Sequence, residues 1–85
     1  MQMLDGNALA GPLAEVLTGD ATSAVGRCMG CGDVAALAQA VVYASAGRYV
    51  ARCRNCDDVL LTVIETDTGL MLTMDGIAAF RMPAV

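Results

Sequence analysis

Two identical cysteine pairs and a series of hairpin signals predict a small, metal-stabilised, mostly-β fold for this chain. The pairs are Cys28-Met29-Gly30-Cys31 and Cys53-Arg54-Asn55-Cys56, and each presents two sulfur atoms from one tight turn. Turn signals between apolar runs occur at Ala46-Gly47, Asp67-Thr68-Gly69 and Asp75-Gly76. With only 85 residues, the chain has a small core, so a metal clip would be a useful source of stability.

The four cysteines are the expected ligands of one tetrahedral metal site, with one zinc ion per chain. These ligands are Cys28, Cys31, Cys53 and Cys56. The residues between the two pairs are sufficient for one β-hairpin, which is the layout of a zinc ribbon. Gly30, Gly32 and Asn55 are expected to supply the left-handed backbone that such turns favour.

Iron is the main alternative to zinc, because four thiolates bind either metal. The stretch from Cys28 to Gly32 matches the knuckle of rubredoxin-like proteins, although Asp57 replaces the glycine after the second pair. Disulfides would need an oxidising compartment, and a thioredoxin-like role would need one Cys-x-x-Cys at the start of a helix. The opening residues show no secretory signal, so we expect reduced thiols and a cytoplasmic location.

The opening residues 4–17 are predicted to form a helix that packs against the sheet, with a docking helix as the alternative. Asp5 is the expected N-cap, Pro12 a kink or restart, and Gly19 the end of the helix. The apolar residues on one face are Leu9, Leu13, Val16 and Leu17.

Residues 1–20 are therefore taken as an N-terminal helical segment and residues 21–85 as the four-cysteine zinc ribbon, in one compact domain. An antiparallel sheet of four or five strands is expected. The predicted strands are 24–27, 37–45, 48–52, 58–66 and 70–74, and residues 77–82 are expected to form a last strand or an extended tail. Residues 34–40 have a second interpretation, a short alanine-rich helix.

The charge of the chain disfavours nucleic acid as a partner. Nine acidic residues, five arginines and no histidine give a formal charge of −4, whereas binding to phosphates requires positive charge. Arginines nevertheless cluster near the cysteine pairs, where we expect them to offset thiolate charge. They are Arg27, Arg48, Arg52 and Arg54. A local patch for RNA or an acidic partner is the alternative.

No catalytic set is found in the sequence. Without histidine there is no imidazole base, and four cysteines would leave no open position on the metal. The sequence therefore predicts that the chain is not an enzyme.

Apolar residues make up 56% of the chain and are crowded near its end. Between Val59 and Met82 they occur at both strand parities, so we expect one face to be core and the other to bind a partner or another copy. In this interpretation Leu60 and Leu72 lie on one face of the sheet, and Leu61 and Met71 lie on the other. The N-terminal helix contributes to the partner surface. The longest uncharged stretch is too short for a membrane helix.

The sequence also resembles a known family. The opening Leu4-Asp5-Gly6-Asn7-Ala8-Leu9-Ala10-Gly11, the segment Gly26–Gly32, the second cysteine pair and the run Val59-Leu60-Leu61 are similar to those of small, uncharacterised actinobacterial proteins with two Cys-x-x-Cys pairs. The resemblance implies a zinc-ribbon fold and a cytoplasmic location, and it carries no activity. We therefore expect a non-enzymatic interaction module, an accessory or regulatory subunit of a larger assembly. A nucleic-acid-associated ribbon and a rubredoxin-like iron redox protein are the alternatives.

Overall fold

Antiparallel strands form two sheets in the computed structural model, which describes residues 2–14, 17 and 19–82. The strands are β1 (Gln2–Asp5), β2 (Val25–Cys28), β3 (Val34–Ala36), β4 (Val41–Ser45), β5 (Arg48–Arg52), β6 (Val59–Thr66), β7 (Gly69–Thr73) and β8 (Ile77–Arg81). The larger sheet has the order β1-β4-β5-β6-β7, and the smaller has the order β3-β2-β8. The prediction of a small, mostly-β fold compatible with metal stabilisation is confirmed.

The hairpins of the larger sheet lie where the turn signals predict them. β4 and β5 are joined at Ala46-Gly47, where Gly47 has a φ of 70°, and β6 and β7 are joined at Asp67-Thr68. Strand β5 has the predicted bounds, and β6 and β7 each begin within one residue of the expected position. Local turn chemistry was sufficient to place these strands.

The last strand does not join the larger sheet. At Gly76 the chain crosses to the smaller sheet, where β8 pairs with β2. The Gly76 amide donates to the Leu60 carbonyl at 3.1 Å, and its carbonyl accepts from the Met29 amide at 2.9 Å. A Cβ atom at Gly76 would collide with the backbone of Val59, so glycine is required for this crossing.

The opening residues differ from the predicted helix. Residues Gln2–Asp5 form β1, which pairs with β4, and are followed by a 3₁₀ turn at Gly6–Leu9 and the short helix α1 at Ala10–Leu13. Gly6 packs so closely on the Leu37 carbonyl that no side chain fits, which helps to fix the turn after β1. The prediction of Asp5 as a cap is confirmed, because its carboxylate accepts from the Asn7 amide at 3.0 Å.

Pro12 lies inside α1 and causes no restart. It is the third residue of the helix, where an amide has no partner within the helix, so the missing N–H costs nothing. Gly19 has a positive φ, 81°, but the described helix already ends at Leu13, so the prediction of Gly19 as the helix end is not confirmed. Between them, Glu15, Val16 and Thr18 lie outside the described residues, and with them the predicted inward position of Val16.

Residues 34–45 contain neither the predicted nine-residue strand nor the alternative helix. Strand β3 is followed by a 3₁₀ turn at Leu37–Gln39, and β4 begins only at Val41. The Leu37 amide donates to the Ala24 carbonyl at 2.8 Å, and the Leu37 side chain is buried. This turn carries the chain from the smaller sheet to the larger one.

The main core lies between the larger sheet and the N-terminal turns. Its largest fully buried side chains are Leu9, Leu13, Val42, Leu61 and Val63. Burying each contributes roughly 1.5–3 kcal/mol relative to exposure. The expectation that the N-terminal segment packs on the sheet is therefore confirmed for Leu9 and Leu13.

A β-bulge explains much of the apolar crowding after the second cysteine pair. Ala51 pairs with Leu61 but Arg52 pairs with Val59, which leaves Leu60 as the extra residue. Leu61 is 1% exposed in the core, while Leu60 lines the space between the two sheets. The predicted grouping of these residues is wrong. The bulge breaks the alternation at Leu60, and Val63 pairs with Leu72 while Ile64 pairs with Met71, so Leu61 shares a face with Leu72 and not with Met71. Within the described part of the chain, no helix is long and apolar enough to cross a membrane.

Candidate metal centre

The two cysteine pairs meet at one point, as the sequence predicts. The four sulfur atoms, of Cys28, Cys31, Cys53 and Cys56, all lie within 4.8 Å of one another. The closest separations join the two pairs, at 3.6 Å between Cys28 and Cys56 and 3.7 Å between Cys31 and Cys53. Zinc–sulfur bonds of 2.3 Å place tetrahedral sulfurs about 3.8 Å apart, so this cluster has the dimensions of a tetrathiolate site.

All four residues are free cysteines, so the cluster contains no disulfide. Cys28 and Cys53, the first residue of each pair, are buried at the end of a strand or just beyond it. Cys31 is exposed and Cys56 is half-buried. The cluster therefore lies at the surface, with its inner side against the protein interior.

The first cysteine pair is held by a network of backbone hydrogen bonds. The Cys28 amide donates to the Asp33 carbonyl, and the Gly32 amide donates to the Cys28 carbonyl, both at 2.9 Å. The Gly30 amide donates to the Cys28 sulfur at 3.3 Å. An N–H directed at sulfur favours the thiolate over the thiol, which is the form that binds metal.

The second pair repeats this arrangement residue for residue. The Cys53 amide donates to the Asp58 carbonyl at 2.8 Å, and the Asp57 amide donates to the Cys53 carbonyl at 3.0 Å. The Asn55 amide donates to the Cys53 sulfur at 3.3 Å. Two six-residue sequences that share their cysteines and the final aspartate, Asp33 or Asp58, thus form the same turn.

The left-handed backbone occurs after each pair and not within it. Gly32 has a φ of 79° and Asp57 a φ of 68°, whereas the expectation for Gly30 and Asn55 is wrong. Asp57 is the only described non-glycine residue with positive φ, and aspartate tolerates this conformation better than most residues. The Arg52 guanidinium donates to its carbonyl at 2.9 Å. Asp57 therefore takes the place of the expected glycine without changing the turn.

Two thiols of the cluster have pKa values shifted in opposite directions, with that of Cys31 lowered and that of Cys56 raised. Hydrogen bonding from Asn55 and from the Asp33 backbone lowers the pKa of Cys31 to about 7. The Asp58 backbone favours the Cys56 thiolate, but burial and the neighbouring sulfurs outweigh it and raise the pKa of Cys56 to about 12. Negative charges this close cannot all form without a cation, so a metal ion would replace protons at this site.

The arginines predicted to offset thiolate charge have different roles. Arg54 crosses from the second pair to Asp33, with its Nε 3.0 Å from Oδ2 and its Nη2 3.3 Å from Oδ1, and it also bonds Gln39. This contact lowers the pKa of Asp33 and raises the pKa of Arg54. Arg52 lies 3.9 Å from the Asp57 carboxylate and over the Tyr43 ring. Sequence reasoning missed Asp33 and Gln39, because nothing in the local pattern marks them.

Arg27 and Arg48 do not take part in this network. Among described residues, neither forms a side-chain hydrogen bond or an ion pair. Only two of the four clustered arginines therefore contact the turns that hold the cysteines.

A family model described as "Family of unknown function (DUF6510)" matches residues 1–85. The chain belongs to this family. No curated protein and no solved structure matches it. The expected membership in an uncharacterised family is confirmed, while an actinobacterial origin stays a prediction.

In this DUF6510 member, the cysteine cluster closes one end of the space between the two sheets. Cys28 and Cys53 line that space together with apolar residues from both sheets and from the turn between them. These residues are Leu37, Leu60, Ile77 and Phe80. The four thiols are thus placed to connect β2 of the smaller sheet with the end of β5 in the larger one.

Proposed function

We propose that this protein is a non-enzymatic interaction module stabilised by one zinc ion, acting as an accessory or regulatory subunit of a larger assembly in the cytoplasm. The observation that supports a metal is the convergence of four sulfur atoms from two turns with the same hydrogen bonds. Cys28, Cys31, Cys53 and Cys56 would be its ligands. Zinc would supply folding free energy by joining the two sheets.

Zinc is preferred over iron because of the exposure of the site. Cys31 is exposed, and the neighbouring Met29 side chain is 63% exposed. Redox-active metal sites depend on an apolar shell that controls access of solvent and the local dielectric. An open site of this kind suits a metal that does not change oxidation state.

The non-enzymatic part of the proposal rests on the ligand set. Four thiolates saturate a tetrahedral ion and leave no position for water or substrate. The sequence contains no histidine to act as a base near neutral pH.

The interaction part rests on large apolar side chains outside the core. The most exposed are Met3, Met29, Val34, Val59 and Met71. Leu9 and Leu13 of the N-terminal segment are buried, so the proposed surface is confined to the sheets and the first cysteine turn. A protein partner is favoured over nucleic acid because Arg52 and Arg54 are paired with Asp57 and Asp33 in a chain of net charge −4.

Native mass spectrometry tests the metal. We expect one zinc per chain, lost on chelation together with the folded state, after which four cysteines become open to alkylation. Cys31→Ser should reduce zinc retention, whereas Met29→Ser, in the same turn, should retain it. If the protein instead contains iron and shows the colour of an iron–thiolate complex, the site is an iron site. A chain that is folded without any metal would refute the proposed metal stabilisation.

A further inference from the structure

We infer that the outer face of the smaller sheet is a docking groove for an extended acidic segment of a partner protein. This inference rests on the proposed function as an interaction module and specifies the chemistry of the partner. The groove is lined by seven residues of this sheet: Val25, Gly26, Arg27, Val34, Ala79, Phe80 and Arg81.

Strand register places these residues on one face. On β2, Arg27 pairs with Val34 of β3 and with Ala79 of β8, and Val25 pairs with Arg81. Side chains alternate along a strand, so residues at this parity share a side. The intervening Gly26, Ala35 and Phe80 line the inner space next to the cysteines. Gly26 and Phe80 line the groove as well, so the thickness of this one sheet separates the groove from the space beside the cysteines.

The charge of this face is opposite to that of the chain. Arg27 and Arg81 are exposed, and neither forms an ion pair or a side-chain hydrogen bond with a described residue. No acidic residue lines the groove, although the chain as a whole has a net charge of −4. Two guanidinium groups without partners offer strong, directional hydrogen bonds to carboxylates.

The spacing of the arginines fits an extended chain. Arg27 and Arg81 occupy diagonal positions on neighbouring strands, which places the two residues about 7–8 Å apart and their Cβ atoms somewhat closer. Carboxylates two residues apart in an extended peptide project to the same side at about 6.7 Å. A segment with acidic residues at alternate positions would therefore place one carboxylate at each arginine.

The floor of the groove adds an apolar requirement. Val25 and Val34 form the apolar floor of the groove, with Val34 56% exposed and Val25 half-buried. Ala79 also lines the groove, and its small side chain leaves space beside the two arginines. An aliphatic side chain two residues beyond the acidic pair would cover Val34. The partner segment accordingly carries two acidic residues and one aliphatic residue at alternate positions, with the aliphatic residue at one end.

Nucleic acid fits this groove less well than an acidic peptide. Single strands bind through aromatic stacking combined with many cations. The only aromatic residue that lines the groove is Phe80, which also lines the inner space, and the groove offers two arginines where a nucleic acid strand would present many phosphates.

Titration of the ¹⁵N-labelled, zinc-loaded full chain tests the inference, with the peptide Val-Thr-Glu-Thr-Glu-Thr as the probe. We expect saturable shifts of amide resonances confined to β2, β3 and β8. The double variant Arg27→Glu with Arg81→Glu should weaken binding by about tenfold or more, because charge-assisted hydrogen bonds are replaced by repulsion. Arg48→Glu, the same change at an exposed arginine of the larger sheet, should leave binding unchanged.

The controls separate this inference from the proposed function. Absence of saturable shifts, binding that survives the double variant, or equal binding of a lysine-substituted peptide would overturn the groove. Stronger binding of oligothymidylate at the same face would assign it to nucleic acid instead. Zinc content is measured in every sample. One zinc per chain without peptide binding refutes the groove alone, whereas a folded chain without zinc refutes the module.

Discussion

Arg54, inside the second cysteine pair, forms a two-point ion pair with Asp33, which follows the first pair. The two N–O distances are 3.0 and 3.3 Å, and the geometry matches the planar guanidinium to the planar carboxylate. Arg54 is partly exposed, so the contact alone adds little to stability. Its importance is its position, because it connects the two turns that bring the four cysteines together.

Replacing Arg54 by lysine should accelerate zinc release. Lysine keeps the charge but cannot form both hydrogen bonds, so the two turns would separate more often. We expect zinc to transfer to a chromophoric chelator about three- to tenfold faster, near the lower end of effects seen for groups that orient metal ligands. Arg48→Lys is the matched control and should not change the rate. Equal rates for both variants would show that the ion pair does not restrain the turns.

The pKa values of the thiols predict how pH acts on metal binding. Cys31, with a pKa of about 7, ionises before Cys56, which has a pKa of about 12 and stays protonated in the metal-free chain at neutral pH. Zinc requires thiolates, so binding must release protons, and the number released should rise as the pH falls below 7. Affinity should accordingly weaken on acidification.

Calorimetry in two buffers of different ionisation enthalpy measures this proton release. Titrations at pH 8 and pH 6 should differ, with more protons released per zinc at pH 6 because Cys31 is then protonated before binding. The same number of protons at both pH values would contradict the lowered pKa of Cys31.

The sequence was sufficient to predict features that depend on local chemistry. The ligand set follows from two short spacings, and the hairpin at Gly47 follows from a turn signal between two apolar strands. The pairing of β8 with β2 was not predictable, because it depends on contacts of Gly76 with distant residues, Leu60 and Met29. The bulge at Leu60 was not predictable either, because the sequence pattern gives no sign that the alternation of side chains is interrupted within this strand.

Gly32 and Asp57 also differ in how well the sequence predicts their conformation. Both occupy the left-handed position after a cysteine pair, with φ of 79° and 68°. Glycine signals such a position in a sequence, whereas aspartate does so weakly, because it takes other conformations far more often. The symmetry of the two turns is visible only in the hydrogen bonds.

Gly32→Ala should therefore destabilise the protein through backbone conformation alone. No atom lies within 4 Å of a Cβ at Gly32, so the substitution creates no clash, and the cost is the left-handed φ, about 1–2 kcal/mol. Gly11→Ala is the matched control, because Gly11 also has open space but lies in α1 with an ordinary φ. We expect that variant to be neutral or more stable by about 0.5–1 kcal/mol. Denaturant unfolding of the zinc-loaded protein measures both changes, and an equal loss in the two variants would contradict the argument.

The two sides of the larger sheet should respond differently to the same kind of substitution. Leu61 is 1% exposed in the core, so Leu61→Ala should cost about 2–5 kcal/mol in free energy of unfolding. Met71 is 56% exposed on the same sheet, so Met71→Ala should change stability by no more than about 0.5 kcal/mol.

Mass measurement of the same variants tests whether Met71 belongs to a contact between copies. If the outer face of the larger sheet associates with a second chain, Met71→Asp should lower the mass in solution while leaving zinc content unchanged, because the substitution places a charge in the contact and not in the core. Leu61→Asp should instead unfold the domain and release zinc, since an unpaired carboxylate would be buried beside Val63 and Val42. A strictly monomeric wild type that Met71→Asp leaves unchanged would exclude self-association through this face. Unfolding by both charged variants to the same extent would show that Met71 is part of the core, contrary to its exposure in the structure.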